Sequence, residues 1–264
     1  MNWLRKHLVV IVGLLVMAYI LLPNVIVVIF SFNKPAGRYN YEWNHFSLDA
    51  WLDPCGSPGM CDALGLSLGI GVSSALIATL MGTMAAFGLG RYRFPGRGFT
   101  NLLVFFPMAT PEVVMGSSLL TLFVAAGVQS GITTILIAHI LFTVSFVITT
   151  VKARVASLDP SLEQAAADLY ATPAQTFWRV TFPLVAPGIA AGALLAFALS
   201  FDDYIVTNFN AGANTVTFPM FVWGAAQRGT PVQINVIGTV MFLGAIAIVG
   251  IAQGIGARRR KADA

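Results

Sequence analysis

The chain has 264 residues, of which 57% are hydrophobic and only 10% charged. A soluble globular protein carries roughly 25% charged residues, so most of this surface cannot face water. The formal charge of +4 comes without a basic stripe interleaved with aromatics, which argues against nucleic acid. Two cysteines are too few for a disulfide scaffold or a complete zinc site.

Runs of about 20 apolar residues predict membrane-crossing helices. They fall at about 8–32, 64–90, 101–126, 131–151, 183–206 and 234–256, within one transmembrane domain covering 1–264. Their length and lack of alternation exclude a transmembrane barrel. The expected fold is therefore an all-α integral membrane bundle of six helices. The first run lacks a small-residue cleavage site and reads as a retained helix. Placing both termini in the cytoplasm puts twelve basic residues inside: Arg5, Lys6, Arg91, Arg93, Arg97, Lys152, Arg154, Arg179, Arg258, Arg259, Arg260 and Lys261. Lys34, Arg38 and Arg228 remain outside, an asymmetry that sets this orientation. The run Arg258–Lys261 then reads as an anchor at lipid headgroups.

The outer loop at 33–63 carries Trp43 and Trp51, most simply interfacial anchors, and His45, a solvated loop residue. Cys55 and Cys61 bracket a tight, glycine-containing turn outside the cell, where a disulfide is permitted; free thiols are the alternative. A short basic turn at 91–99 leads into the third span. There Pro107 and Pro111 each remove a helical hydrogen bond and free a carbonyl that can face a cavity. Glu112 follows at roughly 16 Å of helical rise from Asn101, near mid-membrane. Intramembrane acids usually line a path or a site; the alternative for Glu112 is a hydrogen-bonded structural acid. His139 in the fourth span reads as a packing residue rather than a ligand.

The cytoplasmic segment 159–182 contains two helix starts. Asp159-Pro160 is an N-cap with proline at the first position, and Thr172-Pro173-Ala174-Gln175 is a capping box. Two short helices with a tight turn are expected, after which Pro183 and Pro187 reopen the chain into the fifth span. That span carries Gly188, Gly192 and Ala196 on one face, and the last span carries Gly250 and Gly254 similarly, suited to close helix approach. Asp202 and Asp203 lie roughly 28 Å along the fifth span from Pro183, towards the outer edge. A cation entering from outside would meet them before Glu112. Adjacent helical residues diverge by about 100°, so both cannot point into one pore; a wet helix end is the alternative for the pair. Phe201 and Tyr204 flank them and offer cation–π contacts.

The stretch Glu163-Gln164-Ala165-Ala166-Ala167-Asp168-Leu169-Tyr170-Ala171, continuing to Val180-Thr181-Phe182-Pro183, resembles the EAA loop of ABC-importer permeases. Spacing is kept, but Gln164 stands at the motif's glutamate and Tyr170 at its glycine. Ser31-Phe32-Asn33, Phe46-Ser47-Leu48 before Trp51, Ser200-Phe201-Asp202-Asp203-Tyr204, and the stretch from Phe218-Pro219 through Arg228-Gly229 to Asn235 are similar to the C-type permease subunit of spermidine/putrescine importers.

The resemblance implies a type-1 ABC importer permease in a bacterial inner membrane, forming half of a path for a polyamine or similar organic cation. Glu163, Gln164, Ala165, Ala166, Asp168, Tyr170, Ala171 and Pro173 would contact or support a separate ATPase. Glu112, Ser200, Asp202, Asp203, Trp51 and Tyr204 would line the path. Implied partners are a sister permease chain in a heterodimer, two ATPase subunits and an external substrate-binding protein, within the lipid bilayer and without nucleic acid. The chain has no Gly-x4-Gly-Lys-Ser/Thr loop, so it is read as non-catalytic and without a cofactor of its own; ATP and magnesium would sit on the partner ATPases. Two other readings stay open: the same permease class for another solute, and an ATPase-independent channel or secondary transporter.

Overall fold

Residues 2–262 are described here from a computed structural model, with side chains over 7–248 and at Gly250. The side chains of Arg5, Lys6 and Arg258–Lys261, and Gly254 of the small-residue face, lie outside the described residues. The chain divides into two compact units, 1–61 with 222–264, and 62–221.

In the first unit, α1 (Asn2–Phe30) is apolar on all sides, as a helix bathed in hydrocarbon must be. It packs along α12 (Val232–Ala262), where Gly238 lets Val27 approach: a Cβ there would lie 3.3 Å from Val27 Cγ1. Between them the outer loop is ordered by a short antiparallel pairing of β1 (Asn33–Lys34) with β2 (His45–Phe46). Asn33 organises this loop. Its amide donates to Asn40 Oδ1 and to the Glu42 carbonyl, both at 2.7 Å, and its oxygen accepts the Asn44 N–H at 2.9 Å. The short helix α2 (Asp49–Leu52) seats Ala50 against Val232 and Val236 of α12. Cys55 and Cys61 are disulfide-bonded, with Cα atoms 5.5 Å apart.

The second unit holds most of α3 (Met60–Arg91), then α4 (Arg97–Ala109), α5 (Glu112–Ala125), α6 (Ile132–Ala156), α7 (Pro160–Asp168), α8 (Pro173–Thr176), α9 (Phe182–Asp202) and α10 (Ile205–Asn210). α11 (Phe218–Arg228) begins here and ends in the first unit. Its core is the seam where α3, α6 and α9 meet, built from Ala78, Ala86, Val147, Val151, Val185 and Ala196. Small residues set the spacing of the seam. A Cβ on Gly82 would sit 2.7 Å from Val147 Cγ1, one on Gly188 2.7 Å from Arg154 Cβ, and one on Gly192 3.5 Å from Val147. Van der Waals contact between close backbones is what holds helices together in lipid.

Among the described residues, four helical stretches are long and apolar enough to cross a bilayer: His7–Phe30, Met60–Arg91, Ile132–Ala156 and Pro173–Asp202. The last apolar helix qualifies as a shorter one over its described part, Val232–Ile248. The expected continuous third span at 101–126 is corrected, because α4 and α5 meet at a 104° bend. The cause is local. A residue before proline is driven out of the helical region, and Thr110 before Pro111 is extended at φ −78°, ψ 130°. α4 therefore ends at Ala109, and Pro111 starts a new helix in a new direction. The expected six spans thus become four intact ones, one broken pair and α12.

Two further differences follow from packing. The second cytoplasmic helix is not separate from the fifth span: α8 runs through a π-helical turn, Phe177–Thr181, straight into α9. Pro183 leaves the Arg179 carbonyl without its usual i+4 donor, and such a register change is a common way for a helix to absorb that loss. The stretch between the expected fifth and last spans also carries two short helices, α10 and α11.

Candidate functional site

The element at 159–182 is built by its caps. Asp159 accepts the Ser161 N–H at 2.9 Å, starting α7, which places its carboxyl below the ordinary carboxylate range. Thr172 accepts the Gln175 N–H at 3.3 Å, and the Gln175 side chain accepts the Thr172 N–H at 2.9 Å, starting α8. Between them α7 closes with paired bonds, Tyr170 N–H to the Ala167 carbonyl at 2.9 Å and Ala171 N–H to the Ala166 carbonyl at 3.0 Å. This is a Schellman turn, whose penultimate position normally takes glycine. Here Tyr170 holds φ 61°. At the position where the resemblance expects glycine, a tyrosine holds the left-handed conformation at roughly 1–2 kcal/mol of strain.

The turn presents a ridge. Tyr170 is 96% exposed and Leu169 81%, with Gln164, Ala165, Asp168 and Pro173 also exposed; Ala166 and Ala171 are half-buried. Glu163 turns the other way. Its carboxylate takes a two-pronged ion pair from Arg91 at the end of α3, with one bond of 2.9 Å, and the Thr181 hydroxyl donates to it from the π-helical turn. The Arg91 hydrogen bonds hold the Glu163 carboxyl below the usual range against the opposing effect of partial burial, with help from Thr181. Beneath it, Arg91, Ala167, Ala171, Thr176 and Phe177 help line a cavity of about 270 Å³. Neither Arg91 nor Thr181 is marked by spacing, since they lie 72 and 18 residues from Glu163.

At the other end of α9 the helix breaks after Asp202, with Asp203 extended at φ −65°, ψ 124°. The adjacent aspartates separate. Asp202 is exposed, whereas the Asp203 side chain is 5% exposed. Asp203 accepts the Thr207 N–H at 2.7 Å, the Thr207 hydroxyl at 2.8 Å and the Val206 N–H at 3.3 Å, thereby capping α10. His139 Nε2 of α6 lies 3.3 Å from the same carboxylate. Ser200, 4% exposed, bonds to His139 and to Ser74. In this structure Ser200 and Asp203 are both engaged in internal bonds at the break, while Asp202 is exposed. A lone histidine in an apolar span was the one signal that pointed to this cluster.

Glu112 is exposed and opens α5 directly after the 104° bend, so its depth cannot be read from a continuous rise. α5 packs on α10, where a Cβ on Gly116 would lie 2.8 Å from the Phe209 ring. The groove lined by Leu103 and Pro107 measures about 490 Å³ and is apolar, with Ile77, Met81, Ile137 and Leu141 among its walls. It suits hydrocarbon rather than an ammonium group. Tyr204 is half-buried. In the first unit Trp51 stacks on Phe32 at 5.3 Å, Phe32 stacks on Phe46 at 5.8 Å, and the Trp51 indole N–H donates to Ser31 Oγ at 3.2 Å.

Residues 78–261 match the family described as binding-protein-dependent transport system inner membrane component. The chain is 36% identical over 248 residues to the putrescine transport system permease protein PotI of Escherichia coli K12, covering 91% of this chain and 87% of that one. The chain belongs to this permease family. It is also 32% identical over 246 residues to the spermidine/putrescine permease PotC of the same strain, covering 93% and 92%. A binding-protein-dependent permease of this kind is a multi-pass membrane subunit of an ABC importer, here one close to the polyamine permeases. The fold agrees. A bacterial alginate ABC transporter in complex with its alginate-bound periplasmic protein superposes with TM-score 0.71 at 15% identity, covering 97% and 95% of the two chains. The methionine ABC transporter MetNI superposes with TM-score 0.59 at 14% identity, covering 76% and 95%. An acidic polysaccharide and an amino acid thus share the architecture, so the fold of the permease does not select the solute.

Proposed function

We propose that this permease forms half of the translocation path for a polyamine, such as putrescine or spermidine, or a similar organic cation. The observation that carries the reading is the exposed Asp202 carboxylate at the break ending α9. An ammonium group in a low-dielectric passage needs such a partner. The likeness to permeases named for putrescine and spermidine supports it. Exposed Glu112, at the start of α5, supplies a second carboxylate.

Drive comes from separate ATPase subunits that grip the ridge at 164–173, with Tyr170 and Leu169 as its prominent apolar contacts. Glu163 serves this role from inside, linking α7 to α3 and to the root of α9, so that a push on the ridge reaches both helices. The working assembly contains a sister permease, two ATPase subunits and an external binding protein. In this reading both termini lie in the cytoplasm, which the distribution of basic residues supports.

The test is uptake of radiolabelled putrescine by the whole importer in proteoliposomes. Asp202→Asn should lower uptake about tenfold, the scale of one lost charged hydrogen bond, with ATPase assembly unchanged. Native uptake by Asp202→Asn and Glu112→Gln together would remove the cation reading.

A further inference from the structure

His139 is 1% exposed, yet both its ring nitrogens are engaged. Nδ1 lies 2.7 Å from Ser200 Oγ, and Nε2 lies 3.0 Å from Thr207 Oγ1 and 3.3 Å from Asp203 Oδ2. Ser74 Oγ of α3 is 2.8 Å from Ser200 Oγ. One ring therefore ties α6 to the end of α9, to the break, and to α10, and reaches α3 through a single hydroxyl.

One assignment of protons gives every member of the cluster a partner. Asp203 offers only acceptors, and Thr207 gives it the one hydroxyl hydrogen it has. Thr207 Oγ1 and Asp203 can then only accept from the ring, so Nε2 carries a hydrogen. In a neutral ring Nδ1 is the acceptor, and it takes the Ser200 hydroxyl hydrogen; Ser200 in turn can accept from Ser74, whose hydroxyl lies 2.8 Å from Ser200 Oγ and 3.1 Å from the Gly71 carbonyl. Donors run in one direction, from Ser74 through Ser200 and His139 to the carboxylate. Each member of this chain has a partner, which a polar cluster buried among apolar helices requires.

This arrangement has a consequence for Asp202. Asp202 ends α9 and Asp203 is the extended residue of the break, where its carboxylate is anchored by Thr207 and Val206 and lies against His139. We infer that His139 is a positioning residue: by holding Asp203 inward against α6, it sets the rotation of the break and presents Asp202 outward. It touches no solute. Its importance for transport rests on the reading of Asp202 as a cation-binding carboxylate, but its effect on geometry does not.

The two are separable by experiment. Cys55 and Cys61 are bonded to each other, so a D202C variant carries a single reactive thiol. Its rate of labelling by a charged methanethiosulfonate reagent, in the assembled importer in membranes, reports the exposure of position 202. Adding His139→Ala should slow labelling about tenfold, the scale of losing one hydrogen bond to a charged group. Adding His139→Gln, whose amide can still donate, should restore much of the rate. If His139→Ala does not accumulate, Thr207→Val removes the bridging hydroxyl at nearly constant volume and should also slow labelling. Unchanged labelling in His139→Ala, or in Thr207→Val if the alanine variant does not accumulate, would overturn the inference. In that case a loss of uptake by Asp202→Asn would still stand for the cation reading. Slowed labelling combined with native uptake by Asp202→Asn would keep the positioning role and remove the cation reading.

Discussion

The two ends of the α9 rod solve one problem in different solvents. At its start, Glu163 is tied inward to Arg91 and Thr181 while its neighbour Gln164 is exposed. At the far end, Asp203 is tied inward to His139 and Thr207 while its neighbour Asp202 is exposed. In each pair one acid braces the backbone and the adjacent polar residue is free to meet something else. The difference is water. The Glu163 and Arg91 side chains are each 32% exposed, whereas Asp203 and His139 are 5% and 1% exposed. A partner lost at the first site is replaced by solvent; at the second nothing replaces it.

The comparison is sharpest where the effect is largest. Asp203→Leu removes the carboxylate that takes the Thr207 N–H and hydroxyl and the Val206 N–H and that faces the buried ring, and should destabilise the protein by about 3–5 kcal/mol. The measurement is the melting temperature of the detergent-solubilised importer, and a native melt would break the contrast between the two sites. Asp203→Asn keeps one carbonyl acceptor and should cost less.

Tyr170→Gly should act with the opposite sign. Removing the left-handed strain should stabilise the turn by about 1 kcal/mol. The same change deletes the most exposed aromatic of the ridge, so co-purification of the ATPase should fall while the melting temperature rises slightly. A fall in both would mean that Tyr170 packs at home rather than on a partner.

Glu163→Gln should have a small stability effect, under about 1 kcal/mol, because the pair is partly solvated. It should nevertheless lower the ATP turnover stimulated by the loaded binding protein, since the link from α7 to α3 and α9 is weakened. A variant with full stimulated turnover would leave Glu163 as a structural pair alone.

The smallest effect is the pH dependence. The folded-state pKa of Glu163 is depressed, so its stabilising contribution is complete above the ordinary glutamate value of about 4.3. It is lost as pH falls through the depressed folded value. Melting of the native chain should therefore weaken slightly more than that of Glu163→Gln as pH is taken from 5 to below about 4. Parallel curves would mean the pair is already broken in solution.

How much of this was legible beforehand depends on the range of the interaction concerned. The start of α7 at Asp159-Pro160, the capping box at Thr172, the glycine position held by Tyr170, and the apolar stretches that become α1, α3, α6 and α9 are all contained within a few neighbouring residues. Such signals involve a side chain and its own backbone, or the hydropathy of one continuous run, and they survive in any tertiary context. Pro111 announced a disturbance, but not its size: proline forbids helical geometry at Thr110 without saying whether the chain kinks or turns through 104°. The join of α8 to α9 through a π-helical turn was equally hidden, because two prolines near a helix start read locally as a reopening.

The sequence by itself therefore determined that this is a helical membrane permease of the binding-protein-dependent family, with a capped cytoplasmic element and acids at the fifth span. Only the tertiary structure decided which acids are spent inside and which are presented. Glu163 and Gln164, like Asp202 and Asp203, are adjacent and chemically similar. Their fates are set by Arg91, Thr181 and His139, which reach them only after distant helices pack.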